Sequence, residues 1–139
     1  MKVLVADDES TQREILKIFL ASHGYCVIEA ENGLQAISLA LLEKPDLIII
    51  DHNMPEIMGF DAIKKIRKTP GFAEVPFVVV TINFEIQALQ EDEQMTRCSF
   101  LPKPYSPEQL LAAIRYATGQ PFPRATQTSG KKTPTDLNL

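Results

Sequence analysis

Pro45-Asp46-Leu47-Ile48-Ile49-Ile50-Asp51 is the stretch that decides the fold. A run of aliphatic, mostly β-branched residues bounded by a proline and a carboxylate reads as a short strand. It does not alternate with polar residues, so both of its faces must be covered, as in the centre of a parallel sheet. The strand is expected over Asp46 to Ile50, with Asp51 at its carboxyl end. Three other apolar runs end in the same manner. Lys2 to Ala6 leads into Asp7-Asp8, Pro76 to Ile82 carries Thr81 near its end, and Ser99 to Lys103 leads into Pro104. Parallel strands present their carboxyl ends on one edge, and open α/β sheets bind ligands beyond that edge. Three carboxylates, a hydroxyl and an ammonium are therefore expected to meet there.

Helical patterns fill the gaps between these runs. Thr11 to His23 has Ile15, Leu16, Phe19 and Leu20 at helical spacing, with Thr11 and Glu14 matching a capping box and Gly24 placed to end the helix. A second strand is expected over Tyr25 to Glu29, a turn at Asn32-Gly33, and a helix over Leu34 to Glu43 with Leu34, Ile37 and Leu41 on one side. Phe60 to Lys68 reads as a short helix with Ile63 and Ile66 inward and its four basic residues largely outward. Phe84 to Met95 is the thinnest helical pattern. Ser106-Pro107-Glu108-Gln109 starts a last helix, running to Gly119, with serine at the cap and proline in the first turn. Strands and helices alternating in this way predict an α/β, doubly wound parallel sheet with right-handed crossovers.

The bulk composition agrees. A chain of 139 residues, 45% apolar and 23% charged, fits one soluble domain with a core of its own. A net charge of −4 provides no basic stripe for nucleic acid. Cys26 and Cys98 lack metal spacing and are expected to be buried free thiols in a reducing cytoplasm. No apolar run is long enough for a signal peptide or a membrane span, which predicts a cytoplasmic protein. Residues 120–139 are rich in Pro, Thr, Ser, Gln and Lys and are expected to be a flexible tail or the stub of a linker.

Each site residue has an ordinary reading as well. Asp7-Asp8 could cap a helix, Asp51 could bond loop amides, and Thr81 could be one more β-branched strand residue. Convergence on one edge changes the balance, because crowded carboxylates repel unless one is protonated or a cation joins them. Mg²⁺ suits such oxygen ligands. Asp8 and Asp51 are assigned as direct ligands, Asp7 as acting through water, and the Asn53 carbonyl as a further ligand. Lys103, between Pro102 and Pro104, is a point charge on a stiff exit suited to a phosphoryl group, and Lys103–Pro104 is a bond of the kind that adopts cis. His23 and His52 are expected to be surface or loop residues.

Taken in order, Asp7-Asp8, the stretch from Asp51 to Gly59, Thr81 and Lys103-Pro104-Tyr105 resemble the receiver domain of bacterial response regulators in two-component signalling. The match covers residues 1–119. It implies a flavodoxin-like (βα)5 fold with strand order 2-1-3-4-5. It also implies that a sensor histidine kinase or phosphotransfer protein donates a phosphoryl group to Asp51. In that family Asp7 and Asp8 would hold Mg²⁺ with Asp51 and the Asn53 carbonyl, and Thr81 and Lys103 would bind phosphoryl oxygens. Phe100 aligns with an aromatic that moves inward as Thr81 is drawn to the phosphate. The module would be no classical enzyme: its chemistry would stop at self-phosphorylation and autodephosphorylation, and its output would pass to an effector protein or linked domain.

Two departures stand out. Ile82 is bulky where many receivers have a small residue, and Met95-Thr96-Arg97-Cys98 replaces the usual Gly-Ala pair before the fifth strand. A phosphatase of the haloacid dehalogenase type shares Mg²⁺, aspartate, threonine and lysine. Its nucleophile, however, follows strand one in an Asp-x-Asp pattern that this chain lacks. A degenerate, unphosphorylated scaffold is disfavoured because the full residue set is present.

Overall fold

The computed structural model describes residues 1–82 and 96–119. The helix expected over Phe84 to Met95 and the tail at 120–139 lie outside the described residues. Among the described residues, nine elements run in the order β1 (Lys2–Ala6), α1 (Ser10–Ser22), β2 (Cys26–Ala30), α2 (Gly33–Glu43), β3 (Leu47–Asp51), α3 (Gly59–Arg67), β4 (Phe77–Ile82), β5 (Cys98–Lys103) and α4 (Pro107–Thr118). The five strands form one parallel sheet in the order β2-β1-β3-β4-β5. The doubly wound architecture, the strand order and a flavodoxin-like fold are as the sequence predicts.

Every residue of β3 is buried, in keeping with its unbroken apolar run. The pleat divides its side chains between two cores. Leu4, Ile48, Ile50, Phe77 and Val79 face α2 and α3, with Ile63 and Ile66 packed onto them. Val3, Val5, Leu47, Ile49, Val78 and Val80 face α1 and α4, against Leu16, Leu20, Leu110 and Ile114. Full burial of side chains of this size contributes about 1.5–3 kcal/mol each. The two cores fix the sheet from both sides, and with it the height of the strand ends. Among the described residues, no helix is long and apolar enough to cross a membrane.

Several local expectations are corrected. The first helix starts at Ser10 with Glu9 at its cap and no side-chain capping bond, so Thr11 and Glu14 do not form a capping box. Instead the Glu9 amide donates to Asp7 Oδ1 at 2.9 Å, and this turn sets the entry to the helix. Asn32-Gly33 is a helix start rather than a turn between elements: Asn32 Oδ1 accepts from the Gln35 amide at 2.8 Å. On α2 the buried positions are Gly33, Ala36 and Ala40, while Leu34 and Leu41 are exposed. At Gly33 the neighbouring backbone comes close: a Cβ there would sit 2.9 Å from the Ile57 carbonyl oxygen. Ile15 is likewise exposed rather than in the core stripe of α1. Cys26, on the sheet-edge strand β2, is exposed, whereas Cys98 is buried as expected. His52 lies in the loop after β3, within the surface-or-loop expectation, but is buried there, with Nδ1 3.2 Å from the Phe60 amide and its ring edge-on to Phe60. His23 is exposed, as expected. The last helix starts as read, with a complete Ser106–Gln109 capping box and proline in its first turn.

Candidate functional site

Strand register brings the acidic residues together. β1 lies between β2 and β3 with Ala6 opposite Ile50, so the residues that follow, Asp7 and Asp51, emerge side by side. One carboxylate oxygen from each of Asp7, Asp8 and Asp51 can be chosen so that all three lie within 4.8 Å of one another. Asp7 and Asp51 are buried and Asp8 is exposed, so Asp8 carries the cluster out to solvent.

Lys103 closes the other side. Its Nζ lies 2.7 Å from Asp51 Oδ2, while Asp51 Oδ1 accepts from the Asn53 amide at 2.9 Å. Each oxygen of this carboxylate thus has a donor in a fixed direction. The Lys103–Pro104 peptide is cis. A close approach at the far side of β3 completes the support. A Cβ on Gly59 would lie 2.6 Å from the Asp51 carbonyl oxygen and 2.8 Å from His52 Cα, so only glycine lets α3 start against this backbone.

The electrostatics match the geometry. Burial pushes the Asp7 carboxyl above its ordinary value. The Glu9 amide and Lys103 pull the other way, and the charges of Asp51 and Asp8 add to the rise. For Lys103, burial works against the charge, but the hydrogen bond to Asp51 and the fields of Asp51, Asp7 and Glu9 outweigh it and raise its pKa. Tyr105 is raised by its burial and then by Asp7. An all-oxygen donor set of three crowded carboxylates, one of them strained toward the neutral form, fits a hard divalent cation.

Beside the cluster, a cleft of about 350 Å³ runs between α1 and α4. Asp7, Asp51 and Lys103 form its polar end, and Ile15, Tyr105 and Leu110 are among its walls.

Thr81 and Phe100 stand on the other face. Asp51 is level with Val80, and Thr81, one residue on, belongs to the pleat face of Val79, which pairs with Phe100. Thr81 is fully buried and Phe100 is partly buried against the α2–α3 core. Asp7, Asp8, Asp51 and Lys103 are therefore assembled as one cluster with the Asn53 amide, while Thr81 and Phe100 share the opposite face at the same end of the sheet. Sequence reasoning missed Arg13, whose guanidinium donates to the Asp7 carbonyl oxygen at 2.7 Å. A signal existed: a cation in the first turns of a helix opposes the helix dipole and calls for a partner.

A parallel sheet of this winding, with an acidic carboxyl edge closed by a lysine, has its candidate site where open α/β sheets bind ligands, beyond the carboxyl ends of the strands. The family described as response regulator receiver domain matches residues 3–115, and the chain belongs to that family. Protein PilH of Pseudomonas aeruginosa is 32% identical over 113 residues, which cover 81% of this chain and 93% of that protein. Response regulator MprA of Mycobacterium avium is 30% identical over 139 residues, 100% of this chain and 60% of that protein. The chain spans about half the length of several curated relatives that it matches. Among solved structures, the chemotaxis response regulator CheY4 of Vibrio cholerae superposes with a TM-score of 0.76 at 31% identity, covering 84% of this chain and 97% of that one. The receiver domain of a Pseudomonas aeruginosa sensor histidine kinase, described with a magnesium ion coordinated in its active-site cleft, has a TM-score of 0.73 at 25% identity, covering 85% and 97%. The chain is a receiver domain of two-component response regulators, a signalling module rather than a classical enzyme.

Proposed function

We propose that Asp51 accepts a phosphoryl group from the phosphohistidine of a sensor histidine kinase or a phosphotransfer protein. The observation that carries this reading is the 2.7 Å contact between Lys103 Nζ and Asp51 Oδ2 within a three-carboxylate cluster. An Asp51 carboxylate oxygen forms the new bond to phosphorus as the N–P bond of the donor breaks, and the bonding pair leaves on the histidine nitrogen. Asn53 holds the acceptor's orientation through its amide, and Lys103 balances charge on the oxygens around phosphorus. Mg²⁺, held by Asp8 and Asp51 directly, by Asp7 through water and by the Asn53 carbonyl, would offset the negative charge that collects during transfer.

Thr81 and Phe100 serve as the readout: a hydroxyl drawn toward the phosphoryl group vacates space on the face that Phe100 shares. The module then signals by contacts with an effector protein or a linked output domain, in the cytoplasm, without touching nucleic acid itself. Residues 1–119 are the phosphorylatable unit in this reading, with 120–139 a tail or linker stub. Self-phosphorylation from a small acyl phosphate and autodephosphorylation are its only chemistry. Incubation with acetyl phosphate and Mg²⁺, followed by intact mass and peptide mapping, tests it. One phosphate on Asp51 is expected, on the full chain and on a chain cut after Gly119 alike. Phosphate on another residue, or none, would overturn the assignment.

A further inference from the structure

Asp7 is held from three directions. Its amide donates to the Ala30 carbonyl at 3.1 Å, its Oδ1 accepts from the Glu9 amide at 2.9 Å, and its carbonyl accepts from Arg13 at 2.7 Å. The last of these contacts is made by a side chain that is itself anchored. Arg13 Nε lies 3.4 Å from Glu29 Oε1 on β2, and Lys17, one turn along α1, lies 3.2 Å from Glu29 Oε2. The Arg13 side chain is only 11% exposed, so the contact is made largely out of solvent. A strand, a helix and the loop carrying Asp7-Asp8 are therefore tied at one guanidinium.

We propose that Arg13 is a positioning residue for the acidic pair: braced by Glu29, it fixes the loop so that the Asp7 and Asp8 carboxylates are set for a divalent cation. The inference rests on the cation-binding reading given above. Groups that orient ligands without touching the metal typically govern 10–100-fold in affinity. The sign of the effect separates this role from simple charge. Arg13 is a cation beside an acidic site, so its field alone opposes Mg²⁺, and removing it should tighten binding. Loss of positioning should weaken binding instead.

The test is calorimetric titration of the full chain with Mg²⁺, alongside thermal melting without metal. Arg13→Ala is expected to bind Mg²⁺ about tenfold more weakly. Lys17→Ala, which removes a neighbouring positive charge without touching Asp7, is expected to bind at least as tightly as wild type. Arg13→Lys keeps the charge but replaces the planar fork that spans the Asp7 carbonyl and Glu29 with a single ammonium, and is expected to lose affinity as well; it decides the matter if Arg13→Ala does not fold. Wild-type or tighter affinity in the Arg13 variants, or an equal loss in Lys17→Ala, would overturn the inference. A wild-type chain that binds no Mg²⁺ would overturn the cation-binding reading and the inference with it.

Discussion

Single side chains here carry contrasting chemistry. Asp51→Asn keeps one acceptor oxygen for the Asn53 amide but gives up the acceptor that Lys103 meets, and should add no phosphate by intact mass under conditions that modify the wild type. Cys98 lies at the start of β5 in apolar surroundings. Burial pushes its thiol from the ordinary 9.0 up to about 11, against the pull of Arg67. Its folded pKa lies above the unfolded one, so the native state holds the extra proton between those values, and stability falls as pH rises from about 9 to about 11. Urea midpoints across that range should drop more steeply for the wild type than for Cys98→Ala. Iodoacetamide at pH 8 should label exposed Cys26 and spare Cys98. The sequence made the acidic cluster and Lys103 legible, because strand ends followed by charged residues need only the parallel-sheet rule to be placed. It did not show that Cys26 is exposed or His52 buried, since those depend on which strand forms the edge and on what packs over the β3–α3 loop.

At the scale of elements, close packing outranks hydrophobic count. Leu34 and Leu41 promise a core stripe on α2, yet Gly33, Ala36 and Ala40 are the fully buried residues, and at Gly33 the Ile57 backbone comes too close for a side chain. Periodicity gives the helix but not the distance at which it packs: of the expected face Ile37 does pack on the core, while Leu34 and Leu41 do not. α3 repeats the theme at the site itself. Gly59→Ala would force a methyl against the Asp51 carbonyl and His52 Cα, and should destabilise the chain by about 1–3 kcal/mol in urea unfolding. It should also slow phosphorylation, whereas Ser106→Ala on α4, losing its capping bonds, should cost about 1 kcal/mol and leave phosphorylation intact.

For the molecule as a whole, the strand order was open to inference from the resemblance, and the separation into two cores follows from the alternation of side chains along β1, β3 and β4. A ligand that binds only the native state stabilises it, so Mg²⁺ at a hundredfold excess over its Kd should add about 2.7 kcal/mol to unfolding free energy. Beryllofluoride with Mg²⁺, a stand-in for the phosphoryl group, should shift amide NMR signals of Phe100 and of Tyr105 to Ile114. Shifts confined to the loops bearing Asp7, Asp8, Asp51 and Lys103 would argue against a switch.

Asp51 and Lys103 lie on one side of the sheet and Thr81 and Phe100 on the other, so on the proposed function the sheet stands between the carboxylate that is charged and the aromatic that reports, with Thr81 linking the two. The reporting aromatic is then separately editable: substitutions at Phe100 should silence output while leaving phosphate turnover alone. Selection can then retune what the module reports to without touching how it is charged.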